Sequence, residues 1–219
     1  MYDKVMITVP CYENIYPDTY KSIWGLADRV MECDSDYLDY EVDFDYVKGY
    51  TIDKARCECV EIARANNATH ILFVDNDVTF RPDYLEMLLE HDLDVVMGYY
   101  RHRPQDPEDT LERTNLCKLG QESYIEQITP DEMREARDEG YDLVQVKGGG
   151  LGFALVKMDV FDRLPRPYFL FVNYWTGHTL SEDLFFSEQC AKVGIDIFAD
   201  TRCYCGHIFR EVKGGKFDD

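Results

Sequence analysis

Apolar runs and helix-periodic stretches alternate along the first hundred positions. Residues 4–10 form a short apolar run that ends at Pro10-Cys11-Tyr12-Glu13. Residues 18–31 carry Tyr20, Ile23, Trp24, Ala27 and Met31 at spacings that share one helical face. Residues 41–47 alternate Val42, Phe44 and Tyr46 with Glu41, Asp43 and Asp45, the pattern of a half-exposed strand. Asp53 can cap a helix reaching Asn66, with Ala55, Cys59, Ile62 and Ala63 on its apolar side. Ile71-Leu72-Phe73-Val74 then reads as a strand buried on both faces. A helix over 83–91 and a strand over 94–99 follow. This alternation predicts an α/β fold with a mostly parallel central sheet flanked by helices.

Beyond residue 100 the pattern changes. Residues 103–140 are polar and weakly periodic, with one helix expected over 130–139, and read as an insertion or long connection. A strand over 141–147 precedes Gly148-Gly149-Gly150-Leu151-Gly152 and a second strand over 153–157. The aromatic stretch 168–180 holds Tyr174, Trp175, Gly177 and His178 in an expected loop. Ser181 can cap a helix to Lys192 whose first turn contains Glu182 and Asp183. Strands over 195–199 and 201–208 complete the chain.

The apolar run at 71–74 opens directly onto Asp75-Asn76-Asp77. Ligands in α/β folds bind beyond the carboxyl ends of the strands. Two carboxylates one residue apart at such a place can hold Mg2+ or Mn2+ against a diphosphate. The triplet therefore implies metal-assisted chemistry on a phosphorylated substrate.

Composition narrows the choice. The 219 residues, 45% hydrophobic and 14% aromatic, suit one ordered domain. A net charge of -20, from 43 acidic and 23 basic residues, argues against a broad nucleic-acid-binding face. No apolar run approaches the roughly 20 residues of a membrane span, and Met1-Tyr2-Asp3-Lys4 lacks a secretory layout. The expectation is a cytoplasmic chain. Its eight cysteines include Cys57-Glu58-Cys59 and Cys203-Tyr204-Cys205 but no Cys-x-x-Cys pair, so free thiols are expected over a zinc site.

Four features recur in one order: Pro10-Cys11-Tyr12-Glu13, Asp75-Asn76-Asp77, Ser181-Glu182-Asp183 and Gly206-His207-Ile208. In this order the chain resembles glycosyltransferases of the GT-A fold, in particular the family 2-like group. The resemblance runs from Val5 to Ile208 and is most specific in ILFVDNDVTF and in SEDLFFSEQCAKVGIDIFADTRCYCGHI. It implies one catalytic domain over 1–219: a nucleotide-sugar half over 1–100, the polar insertion over 103–140, and an acceptor half over 141–219.

The resemblance also implies roles. Asp77 would bind the metal directly, with Asp75 near the ribose or the metal's water shell, Asn76 between them, and His207 as the distal metal ligand. Pro10, Tyr12 and Glu13 would belong to the nucleotide pocket, and Arg56 in Asp53-Lys54-Ala55-Arg56 would contact the sugar donor. Asp183, beside Glu182, would act as general base toward an acceptor hydroxyl on a glycan or other molecule, with inversion favoured. The implied cofactor is Mn2+ or Mg2+, and the implied substrate a nucleoside-diphosphate sugar, UDP favoured over GDP. The processive motif Gln-x-x-Arg-Trp is absent, which points to transfer of a single sugar.

Other readings stand beside this one. Glu182 and Asp183 also suit a helix N-terminus on charge grounds alone. Trp175 and the glycine run suit packing and tight turning as well as ligand contact. Val74-Asp75-Asn76-Asp77-Val78-Thr79 fits the opening signature of a haloacid-dehalogenase-type phosphatase, although no convincing set of later partners follows. A non-catalytic module that binds a nucleotide or glycan is the remaining alternative.

Overall fold

A computed structural model describes residues 3–32, 40–102, 111–119, 125–175, 177 and 179–208. In chain order the elements are β1 (Asp3–Cys11), α1 (Pro17–Glu32), β2 (Tyr40–Lys48), α2 (Ile52–Ala65), β3 (His70–Val74), β4 (Val78–Thr79) and α3 (Tyr84–Leu89). Next come β5 (Val95–Tyr100), β6 (Leu116–Leu119), β7 (Ile125–Gln127), α4 (Pro130–Asp138), β8 (Leu143–Val146), β9 (Gly148–Gly149) and β10 (Phe153–Lys157). The chain then forms α5 (Val160–Arg163), β11 (Val172–Asn173), β12 (Thr179–Leu180), α6 (Glu182–Lys192) and β13 (Ile197–His207).

The main sheet runs β2-β1-β3-β10-β5-β13-β4, with β8 also paired to β13. β2, β1 and β3 are mutually parallel, as are β5 and β13, whereas β10 lies antiparallel between β3 and β5. Ile71 to Val74 are all fully buried, as their unbroken apolar run predicts. One apolar cluster joins Phe73, Met97 and Ala154 to α2, α5 and α6. The other joins Ile7, Leu72 and Val96 to α1 and α3.

The face of α1 differs from expectation. Thr19, Ile23 and Leu26 face the sheet, while Tyr20, Trp24 and Met31 are exposed. The stripe that packs recurs every three to four residues from Thr19; Tyr20 and Trp24 lie one step round the helix and stack on each other at 6.4 Å. Phe44 and Tyr46 also stay exposed, because β2 is an edge strand. Thr51, not Asp53, occupies the N-cap of α2. α4 begins with a complete Thr129–Glu132 capping box around Pro130, close to its predicted bounds.

Residues 111–119 and 125–127 of the polar stretch contribute two strands that the sequence pattern does not reveal. β6 pairs with β7 and with β9, so the first two glycines of the glycine run form a strand instead of a turn. The last two predicted strands are one, β13, with an irregularity between Ala199 and Tyr204. No helix among the described residues is long and apolar enough to cross a membrane. The seven described cysteines are free thiols, and Cys33 lies outside the described residues.

Candidate active site

β3 delivers Asp75 to the end of the sheet, and its backbone N–H is held by the Gly152 carbonyl at 2.9 Å. The turn that follows places Asp77, after which β4 pairs with the end of β13. In that pairing His207 lies opposite Val78, and the Ile208 N–H donates to the Asp77 carbonyl at 2.8 Å. Backbone register thus sets His207 against Asp77, 130 positions apart in the chain.

His207 Nδ1 lies 2.8 Å from the Arg101 carbonyl. A carbonyl only accepts, so Nδ1 carries the hydrogen and the neutral ring keeps its lone pair on Nε2. That Nε2 sits 3.4 Å from Asp77 Oδ2. Two lone-pair atoms at this separation suit a shared proton or a divalent ion bound to both. A ring fixed through its other nitrogen is the usual arrangement for a metal-binding histidine. Among the described residues no three His, Cys, Asp or Glu side chains gather into a full metal cage.

Beneath the triplet, Arg56 is buried on α2. Its guanidinium donates to Asp75 Oδ1 at 2.9 Å and to Glu182 Oε1 at 3.2 Å. Burial alone would pull the Arg56 pKa down, but Asp75 and Glu182 outweigh it and leave it raised. Burial pushes the Asp75 and Glu182 carboxyls up against the opposing pull of Arg56. Arg56 is therefore committed to the two carboxylates at the floor of the site.

A cleft of about 470 Å3 opens above these groups. Pro10, Arg56, Asp75, Asn76, Asp77, Glu182, Asp183 and His207, all expected from the sequence, line it. Glu182 is buried on Arg56, whereas Asp183 is partly exposed on the cleft side. Ser181 holds the N-cap position but makes no side-chain cap, so its hydroxyl stays on the cleft wall. Tyr12 and Glu13 line a neighbouring pocket of about 450 Å3 that shares Asn76 with the cleft. The Asn76 side chain donates to the Asn14 carbonyl at 2.7 Å, and the Tyr16 N–H donates to the Asn76 carbonyl at 3.0 Å. The loop after β1 is thereby latched to the triplet. Trp175 stands 96% exposed between β11 and β12, outside the cleft; His178 and Arg103 lie outside the described residues.

Cleft residues that sequence reasoning missed include Tyr100, Asn115, Cys117 and Gln127. Asn115, Cys117 and Gln127 arrive on or beside β6 and β7, whose small sheet has no periodic signal. Tyr100 ends β5 as one apolar residue among several. Its ring meets His207 edge-on at 5.0 Å, and its hydroxyl accepts the Gly152 N–H at 3.2 Å. Burial pushes its phenol well above the ordinary range, and Asp75 and Asp183 add to the shift. Burial likewise pushes the Cys117 thiol up to about 11, with Asp183 adding to it.

Solved structures share this arrangement of elements. The mixed α/β fold, with its large central sheet, is similar to that of a solved glycosyltransferase structure. GalNAc-T7, whose structure was determined with UDP, GalNAc and Mn2+, matches with a TM-score of 0.57 at 12% identity. That match covers 95% of this chain and 44% of GalNAc-T7. A197 from STIV matches with a TM-score of 0.58 at 16% identity, covering 94% of this chain and 86% of that one. At such identities the likeness concerns the fold alone. No protein-family model matches the chain, and no curated protein matches its sequence.

Proposed function

We propose that this protein is a metal-dependent glycosyltransferase that moves one sugar from a nucleoside-diphosphate sugar to an acceptor hydroxyl. The observation that carries the reading is the facing pair Asp77 and His207, set at one cleft with Asp183. The described cleft residues include four carboxylates, Asp75, Asp77, Glu182 and Asp183, against a single arginine already committed to two of them. A diphosphate enters such a cleft only with a cation. Asp77 and His207 would hold Mn2+ or Mg2+, with Asp75 beside them and the remaining ligands drawn from phosphate and water. The bound ion would offset charge on the diphosphate leaving group.

The chain's own residues supply the rest. The pocket at Tyr12 and Glu13, latched to Asn76, takes the nucleoside. Residues 1–100 thus serve the nucleotide and 141–219 the acceptor. Asp183 accepts the acceptor's proton as the hydroxyl attacks, an assistance of about 10²–10⁴-fold. Glu182 anchors the start of α6 on Arg56 and so aims Asp183. A phosphatase using Asp75 as nucleophile is disfavoured, since Arg56 occupies one of its oxygens and no lysine is among the described cleft residues.

The test uses UDP and GDP sugars with Mn2+. Asp77→Ala should abolish metal-dependent nucleotide binding. Asp183→Asn should keep binding but lower transfer or donor hydrolysis at least a hundredfold. Metal-dependent nucleotide binding retained by Asp77→Ala, or release of phosphate from simple monoesters by the wild type, would sink the reading.

A further inference from the structure

Tyr100 is buried, only 5% exposed, and is among the residues that line the cleft. That oxygen accepts one hydrogen bond, from the Gly152 N–H. Its own hydrogen is given to no oxygen or nitrogen among the described residues. A buried hydroxyl hydrogen without an acceptor is costly, so such groups normally have a partner.

The surroundings say where the partner lies. A Cβ placed on Gly152 would stand 2.6 Å from the Tyr100 hydroxyl and 2.8 Å from Asp75 Oδ2. One placed on Gly150 would stand 2.7 Å from the same hydroxyl and 3.4 Å from Asp183 Oδ2. The two glycines keep this space free of side chain. The hydroxyl therefore lies near both Asp75, on the phosphate side, and Asp183, on the acceptor side of the interval that separates them. In a displacement the transferred sugar must occupy that interval, because its reacting carbon lies between leaving group and nucleophile.

We infer that Tyr100 donates a hydrogen bond to a hydroxyl of the transferred sugar and so helps select which sugar is moved. The inference rests on the glycosyltransferase reading above. Phosphate is the less fitting partner, since the diphosphate belongs beside Asp77 and His207. Tyr100 thereby joins the three parts of the site: its ring packs on His207, its oxygen fixes Gly152, and its hydrogen reads the sugar.

The experiment is a binding cycle in the presence of Mn2+. Wild type and Tyr100→Phe are titrated with UDP, GDP, UDP-glucose, UDP-N-acetylglucosamine and GDP-mannose. The preferred nucleotide sugar is then compared with analogues lacking one sugar hydroxyl each. Tyr100→Phe should bind the preferred nucleotide sugar about tenfold more weakly, the loss of one hydrogen bond, while its affinity for the nucleoside diphosphate stays within about twofold. One deoxy analogue should show the same loss on wild type and no further loss on the variant. Equal affinity of both proteins for the nucleotide sugar would overturn the inference. So would a parallel loss for nucleotide and nucleotide sugar, which marks a structural role. Additive losses for every deoxy analogue would also overturn it, and this comparison holds even if the variant is less stable. Failure of the wild type to bind any of these nucleotides with Mn2+ instead sinks the glycosyltransferase reading itself.

Discussion

Arg56 shows how one residue can hold two ends of a site. It lies in the middle of α2, yet it binds Asp75 from β3 and Glu182 from α6, and its guanidinium also lies 5.6 Å from the Phe73 ring centroid. Removing it leaves two acids facing each other in a poorly solvated place. Arg56→Met is expected to cost about 3–5 kcal/mol in denaturant unfolding, as for other broken buried ion pairs. Arg56→Lys should recover only part of this, since an ammonium cannot reproduce the two-directional fork. Unchanged stability in Arg56→Met would refute the role. The residue was visible in the sequence as a candidate, but its partners were not, because they lie 19 and 126 positions away.

At the scale of elements, α6 and the small sheet are fitted together through glycine. A Cβ on Gly148 would lie 2.4 Å from Ser187 Oγ and 2.5 Å from Ser187 Cβ, both on α6. The Ser187 hydroxyl is itself bonded to the Asp183 carbonyl at 2.8 Å, so pushing this face moves the turn that carries Asp183. Gly148→Ala should lower stability by about 1–3 kcal/mol, the usual cost of overpacking. It should also reduce the transfer rate more than nucleotide affinity, because Asp183 shifts while Asp77 and His207 stay in register. Thermal unfolding, turnover and titration on the same variant separate these effects. A variant that loses nucleotide affinity and keeps its turnover number would contradict the assignment of α6 to the acceptor side.

For the whole molecule, the proposed function predicts a stabilisation by ligand. Binding only to the folded state adds about 2.7 kcal/mol at a ligand concentration of 100 times Kd. For a chain of this size that corresponds to a rise in Tm of roughly 5–10 °C. Mn2+ and nucleotide together should produce this rise in the wild type, and neither alone should reproduce it. Asp77→Ala should show none of it. The charge of -20 bears on the same test: the molecule's field repels polyanions, so nucleotide without the cation should bind poorly.

Much of this was legible in the order of residues. Local rules suffice for β1, β3, α2, α4, α6 and β10, because burial on both faces, capping residues and helical periodicity act within a few positions. The same holds for the Asp-x-Asp at a strand end and for Asp183 in a first helical turn. Where rules failed, the deciding contact was distant. Periodicity alone could not tell which of two adjacent stripes on α1 would face the sheet, and it left Trp24 wrongly inside. Leu116–Leu119 and Ile125–Gln127 are strands because β6 pairs with both β7 and β9, and a side chain on Gly148 of β9 would collide with Ser187 of α6. The sequence determined which chemical groups are present and which strand end carries them. Only the tertiary structure decided that His207 stands against Asp77, that Arg56 is committed to Asp75 and Glu182, and that the Tyr100 hydroxyl lies near Asp75 and Asp183. Those facts depend on pairings across the sheet, and no local propensity encodes a pairing between strands a hundred residues apart.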